Sequence, residues 1–256
     1  MKKFFVIFLI IVVAVITYYK FTYPTFTYKY RMTVEVETPE GIKSGSSVIE
    51  VRTEQWPEWI SGLSGGNTEN SYVTGESVFV DLGDEKNIVV LLAAGSYAQI
   101  ENAIVYLAPQ AFLNVGFPES SSGLKSIWAS RLSKMTSEKI EVRPELVPTM
   151  VSFQDLDDPK SVQLIYAADR YEVVNKQGWR EYPRKVVIND FNTKFGDGYE
   201  LKGVWLELTD DPITKGLEEK LLWWNNSGRP ASEMLESLRD GHNTGTSIEP
   251  ERIFIK

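Results

Sequence analysis

The chain has no cysteine and a single histidine, His242, among its 256 residues. The first absence removes disulfides, thiolate metal sites, cysteine nucleophiles and a lipidated cysteine anchor together. The second leaves little material for a histidine zinc site or a histidine general base. Positive charge is scarce after the N-terminus. Residues 1–31 hold Lys2, Lys3, Lys20, Lys29 and Arg31 with no acid, which leaves 22 cations against 35 acids in the rest. A domain of that sign is a poor partner for nucleic acid, whose binding depends on neutralised phosphates. Anionic lipid headgroups repel it too, except at its basic start. Internal repeats, low-complexity tracts and a regular strand–helix rhythm are also missing, so a doubly wound parallel sheet is not expected. What is present suffices for a packed core: hydrophobic residues at 43% and aromatics at 12% exclude a disordered chain.

The longest apolar run, Phe4 to Tyr19, carries no charge. As a helix it covers about 24 Å, short of the ~30 Å hydrocarbon core. Tyr18, Tyr19, Phe21 and Tyr23 extend it as interfacial aromatics, and Lys20 can snorkel between them. Small residues of the kind a signal peptidase needs do not occur around Val15–Tyr19, so the segment reads as an uncleaved signal-anchor rather than a signal peptide. Cations flank it almost equally on both sides. Its signal-anchor shape favours a cytoplasmic N-terminus and an extracytoplasmic domain.

A short aromatic stalk is expected over residues 20–27, broken by Pro24. From Tyr28 to Glu37 apolar and polar residues alternate, with Tyr30, Met32, Val34 and Val36 on one face, which predicts a half-buried strand. Pro39-Glu40-Gly41 turns the chain into a second strand, 47–52. Residues 53–71 read as a long surface loop. A second hairpin, 78–82 with 88–92, contains the run Val89 to Ala94, apolar enough for a central strand. Ser96 and Gln99 form a capping-box pattern for a helix to Leu107, with Pro109 beyond its end. Another helix is expected over 124–139. Strands are expected at 147–153, 162–167, 185–188 and 199–208. Asp210-Asp211-Pro212 predicts a helix start with a run to Trp224. A short helix at 231–239 ending at Gly241 and a last strand at 252–255 complete the pattern.

Several motifs invite chemistry. Gly62-Leu63-Ser64-Gly65-Gly66 matches a nucleophile elbow literally, but lacks the strand before it and the helix after it, and reads as a turn. Ser122 and Lys125 have the Ser-x-x-Lys spacing of a hydrolase pair without its companion motifs, and Ser120 to Ser122 also suit a helix N-cap. Asp155, Asp157 and Asp158 precede Pro159. Carboxylates this dense suit a divalent cation or acid–base work, although aspartate before proline is ordinary turn chemistry. Asp190 to Lys194 begins like a calcium loop and fails where glycine and glutamate are required. Trp56 and Trp59, in a Gly/Asn-rich stretch, are candidates for a ligand or partner contact, with core packing beneath the loop as the plain reading.

Three stretches, YKYRMTVEVETPEGIKSGSSVIEVR (28–52), VPTMVSFQDLDDPKSV (147–162) and FGDGYELKGVWLELTDDPITKGLEEKLLWW (195–224), together resemble a family of uncharacterised proteobacterial proteins with one N-terminal span. The resemblance covers about a third of the chain and departs from the family pattern in a longer stretch between Gln163 and Asn192. It implies an envelope location in a Gram-negative bacterium and no particular activity. The expectation is therefore an α+β protein: a transmembrane signal-anchor (1–23), then one soluble, mainly antiparallel β domain with several helices (24–256), its best internal boundary a weak one near 140–150 that does not split the domain. The expected function is a non-enzymatic binding or interaction module of the inner membrane, with the membrane and an envelope protein as partners and no cofactor. The alternative is a tethered hydrolase using the Ser122–Lys125 pair or paired carboxylates.

Overall fold

The computed structural model describes residues 2–61, 68–116, 123–136, 138–176, 180–224 and 229–239. It is an α+β structure: an apolar helix followed by two five-stranded antiparallel sheets and several helices. Helix α1 (Lys2–Thr22) is longer than the uncharged run. At 21 residues it spans about 31 Å, long and apolar enough to cross a membrane, with mean hydropathy 2.5 over Lys3–Thr22. Thr17 and Thr22 bond back to the carbonyls of Val13 and Tyr18 at 2.8 Å, which lets polar residues stay helical in an apolar setting. The expected stalk is absent. Only Tyr23 and Pro24 separate α1 from strand β1 (Thr25–Thr38).

β1 alternates as its sequence predicts, with Tyr28, Tyr30, Met32, Val34 and Val36 buried. It pairs along its whole length with β2 (Gly41–Gln55), which is far longer than expected and takes in much of the supposed surface loop. The remaining described residues of that loop hold one helical turn, α2 (Glu58–Ser61), and the start of β3 (Glu69–Thr74). The chain then enters the second sheet through the hairpin of β4 (Val78–Gly83) and β5 (Lys86–Val90), whose turn residues Asp84 and Glu85 both adopt positive φ as a tight right-twisting turn requires.

The expected helix from Ser96 does not form there. The Ser96 amide and hydroxyl both bond to the carboxylate of Asp169, and Gln99 also turns to Asp169 at 3.1 Å, so the capping box is consumed by a tertiary contact. Helix α3 (Ala103–Leu113) starts later and contains Pro109. A proline there leaves the carbonyl four residues back, at Val105, without its helical amide. The buried phenol of Tyr28 donates to that carbonyl at 3.4 Å, and Tyr30 donates to Ile104 at the same distance. The proline is thus accommodated by docking the helix on β1.

Helix α4 (Leu124–Leu132) is shorter than expected, because the chain must extend for β6 (Lys139–Glu141) at the edge of the first sheet. The remaining strands are β7 (Met150–Phe153), β8 (Val162–Arg170), the small hairpin β9 (Val173–Val174) with β10 (Arg180–Glu181), β11 (Arg184–Asn189) and β12 (Glu200–Leu208); helix α5 (Phe191–Phe195) lies between the last two. The first sheet is ordered β3-β2-β1-β12-β6 and the second β11-β8-β7-β5-β4. Val204, Leu206 and Leu208 of β12 are buried on one face, as the pattern of that strand predicts.

The predicted helix after Asp210 is replaced by an extended segment and one 3-10 turn, Leu217–Glu219. Tertiary partners outweigh the local cap. Lys29 donates to the carbonyls of Asp210 and Asp211 at 2.8 and 2.9 Å, Arg31 pairs with the Asp211 carboxylate, and the Thr214 hydroxyl accepts from the Val48 amide. The chain ends its described course in α6 (Arg229–Arg239). Gly241, His242 and the strand expected at 252–255 lie outside the described residues.

The two sheets share one core. Met32, Val34 and Ile49 of the first meet Val78, Val80, Ile88 and Val90 of the second, with Ile104 and Leu107 of α3. A second core covers the far face of the second sheet, where Val89, Leu91, Val151 and Phe153 pack on Leu217, Leu221, Trp224, Met234 and Leu235. The run from Val89 is apolar throughout because this inner strand is buried on both faces.

Glu76, between β3 and β4, ties the layers together. It is 6% exposed and accepts from the Leu217 amide at 2.8 Å. Burial raises its carboxyl above the usual carboxylate range, against the lowering effect of the Leu217 and Gly216 amides. The folded chain therefore holds this proton more tightly than the unfolded chain, so stability falls as pH rises from the usual range through the raised value. Glu76→Gln is expected to flatten that part of the stability–pH curve and to raise the melting temperature at neutral pH. Thermal melts across this pH interval check both.

Candidate functional site

A cavity of about 1120 Å³ opens at the β11 edge of the second sheet. Four segments wall it: the end of α3 (Gln110), the 3-10 turn Pro144–Leu146 with Arg143 before it, the end of β8, and the stretch from β10 into β11. Among the described residues five cations line it, Arg143, Arg170, Arg180, Arg184 and Lys185, against two acids, Glu145 and Glu181. In a chain with net charge −8 that is a local inversion of sign.

Strand pairing creates the inversion. Arg170 ends β8 and Arg184 begins β11, and the register sets them directly opposite one another. Like charges so placed repel, with Cα atoms on the order of 5 Å apart. Arg143 pairs with Glu145 at 3.4 Å and Arg180 with Glu172 at 3.6 Å. Lys185 rests over the ring of Tyr171 at 5.2 Å. The Nη1 of Arg184 is buried with no hydrogen-bond partner among the described residues. Burial first, then the Arg170 charge, push its guanidinium down to about 10, with Glu145 and Tyr166 opposing. Nearby, burial pushes the Tyr166 phenol up to about 12, and it donates to the Pro144 carbonyl at 2.8 Å. Tyr171, Tyr182, Leu146, Val115 and Val186 supply an apolar lining.

The residues singled out in the sequence lie elsewhere. Ser122 and the glycine–serine elbow at 62–66 are outside the described residues. Lys125 is half-buried. Its backbone amide bonds to the Glu69 carboxylate at 3.1 Å, and its ammonium sits 5.9 Å from the ring centre of Tyr106. Burial lowers its pKa, opposed by Glu69. Asp155 and Asp158 accept from the amides of Asp157 and Lys160, each at 2.9 Å, which is turn and capping chemistry. Among the described residues no three histidine, aspartate or glutamate side chains gather as a metal site.

Trp56 and Trp59 line a second, shallower hollow of about 580 Å³ together with Thr22 and Tyr23 at the end of α1. Trp56 is half-buried, its amide bonded to the Thr68 carbonyl at 2.8 Å, whereas Trp59 is 73% exposed. Neither tryptophan plugs the main core, and neither lies near the arginine cavity.

The cavity was not visible in the sequence because its cations come from positions 143, 170 and 180–185. The one local signal, Arg-Glu-Tyr-Pro-Arg-Lys at 180–185, shows three cations but neither Arg170 on the opposite strand nor Arg143, which bring the count to five among the described residues. No protein-family model, curated protein or solved structure matches this chain.

Proposed function

We propose that this chain is a single-pass protein of a bacterial inner membrane, tethered by an uncleaved α1, whose domain stands in the periplasm as a non-enzymatic binding module. The observation that carries the binding reading is the arginine-walled cavity, roomy enough for an organic ligand and lined by both charged and aromatic side chains. The tether reading is supported by the length and apolarity of α1 and by its aromatic collar of Tyr18, Tyr19, Phe21 and Tyr23. Exposed Trp59 lies beside that collar and extends it at the level of the lipid interface.

A photoreactive benzoylphenylalanine at Tyr182, in the full-length chain expressed in its membrane, tests this reading. Irradiation in cells is expected to yield a covalent adduct of one small-molecule mass at the cavity, from protein found in the inner-membrane fraction. A chain that crosslinks to nothing, or is released from the membrane without α1, would count against it.

A further inference from the structure

Resting on the reading of this cavity as a binding site, we propose that its ligand is a phosphate monoester, its phosphate held between Arg170, Arg184 and Arg143. Three features lead there. Arg170 and Arg184 face each other across the β8–β11 pair, two like charges that an anion placed between them would satisfy together. Arg184 keeps a buried Nη1 donor without a partner among the described residues, and a buried guanidinium donor is costly until an acceptor meets it. Among the described residues that line the cavity, cations outnumber acids five to two, in a chain of net charge −8.

The geometry favours phosphate over carboxylate. A carboxylate offers two oxygens in one plane, which suits a single guanidinium fork. Here the guanidiniums come from three separate segments: the lead-in to a 3-10 turn, the end of β8 and the start of β11. Convergent forks match a tetrahedral group with three terminal oxygens and close to two negative charges. A free phosphate would fill a small part of about 1120 Å³. The aromatic and aliphatic wall of Tyr171, Tyr182, Leu146, Val115 and Val186 accommodates the organic remainder. A soluble phosphate ester and a phosphorylated lipid headgroup share this chemistry.

The test uses the full-length chain in nanodiscs of zwitterionic lipid. It is titrated with inorganic pyrophosphate as the minimal probe, and separately with a short-chain phosphatidic acid. Pyrophosphate is expected to raise the melting temperature, with an affinity that falls as salt is added. Arg184→Gln and Arg170→Gln are each expected to weaken binding at least about 10-fold. Arg184→Lys, which keeps the charge and loses the fork, should fall between. Lys43→Gln, on β2, should bind as the parent does. Without the anion, Arg184→Gln is expected to melt no lower than the parent, because it removes one of two opposed like charges. A purely structural arginine would instead lower the melting temperature and leave affinity unchanged.

Tighter binding of the phosphatidic acid than of pyrophosphate identifies a lipid headgroup, and the reverse identifies a soluble ester. No melting shift with either probe, or a shift that both glutamine variants retain, overturns the proposal. If the Tyr182 photocrosslink still captures a ligand, the binding-module reading survives that failure. If it captures nothing, both fall.

Discussion

Gly45→Ala is expected to destabilise the folded chain by about 3 kcal/mol, read as a lower urea midpoint for the full-length protein in detergent. Gly45 lies on β2 opposite Val34, in extended backbone that any residue adopts. The cost is therefore spatial and not conformational. A β-carbon built at this position falls 2.1 Å from the carbonyl oxygen of Phe79 and 3.1 Å from Cγ2 of Val80. Both belong to β4, so this is where the first sheet presses its backbone onto the second. The obstacle is a strand backbone in the shared core, and relieving the clash means moving the sheets apart around Val34, Val78 and Val80. A loss below about 0.5 kcal/mol, the usual range of a surface change, would show that the sheets do not meet so closely.

The second large effect is expected at Glu69. Its side chain is 3% exposed and receives the Lys125 amide at 3.1 Å, the Ser126 amide at 3.0 Å and the Ser126 hydroxyl. Gln55 donates in turn to that hydroxyl at 2.7 Å. A carboxylate on β3 thus takes up the first-turn amides of α4 and complements the positive end of the helix. Glu69→Ala leaves those donors buried without an acceptor and is expected to cost about 3 kcal/mol. Glu69→Gln keeps one carbonyl oxygen and loses the charge, so a cost of about 1–2 kcal/mol is expected. Equilibrium urea denaturation of both variants checks the order. Equal and small losses would mean that α4 is held by its packing on β1 and β2 alone.

These two contacts also mark where the sequence stops being legible. Periodicity was sufficient wherever one face decided the outcome: the alternation of Tyr30, Met32, Val34 and Val36 located β1, and Val204, Leu206 and Leu208 located β12. The continuous run from Val89 revealed an inner strand, because burial on both faces leaves no polar position. Local signals failed where a distant residue claimed the same atoms. Ser96 and Gln99 were drawn to Asp169, 70 or more residues away in sequence, instead of capping a helix. Asp210 and Asp211 gave their carbonyls to Lys29 rather than opening one. The serines before Gly123 looked like the cap of α4, yet Glu69 takes its amides. The arginine cavity fails in the same way, since Arg170 and Arg184 become neighbours only once β8 and β11 are paired. For Trp59 the plain reading of core packing does not hold, since it is 73% exposed, and its place beside Thr22 and Tyr23 follows only from the fold.

The joint between α1 and β1 has a mechanical consequence. Two residues, one of them a proline with fixed φ, leave little room for a swivel. A tug on the anchor arrives at Thr25 along the axis of the strand that lies in the middle of its sheet, clamped by β2 over its full length and by β12 from Tyr30 to Glu37. Such a load shears two ladders at once rather than unzipping one bond at a time. With α1 in a bilayer, as proposed, the domain would be geared to it: a tilt of the helix would become a tilt of the first sheet, with no slack linker to absorb it.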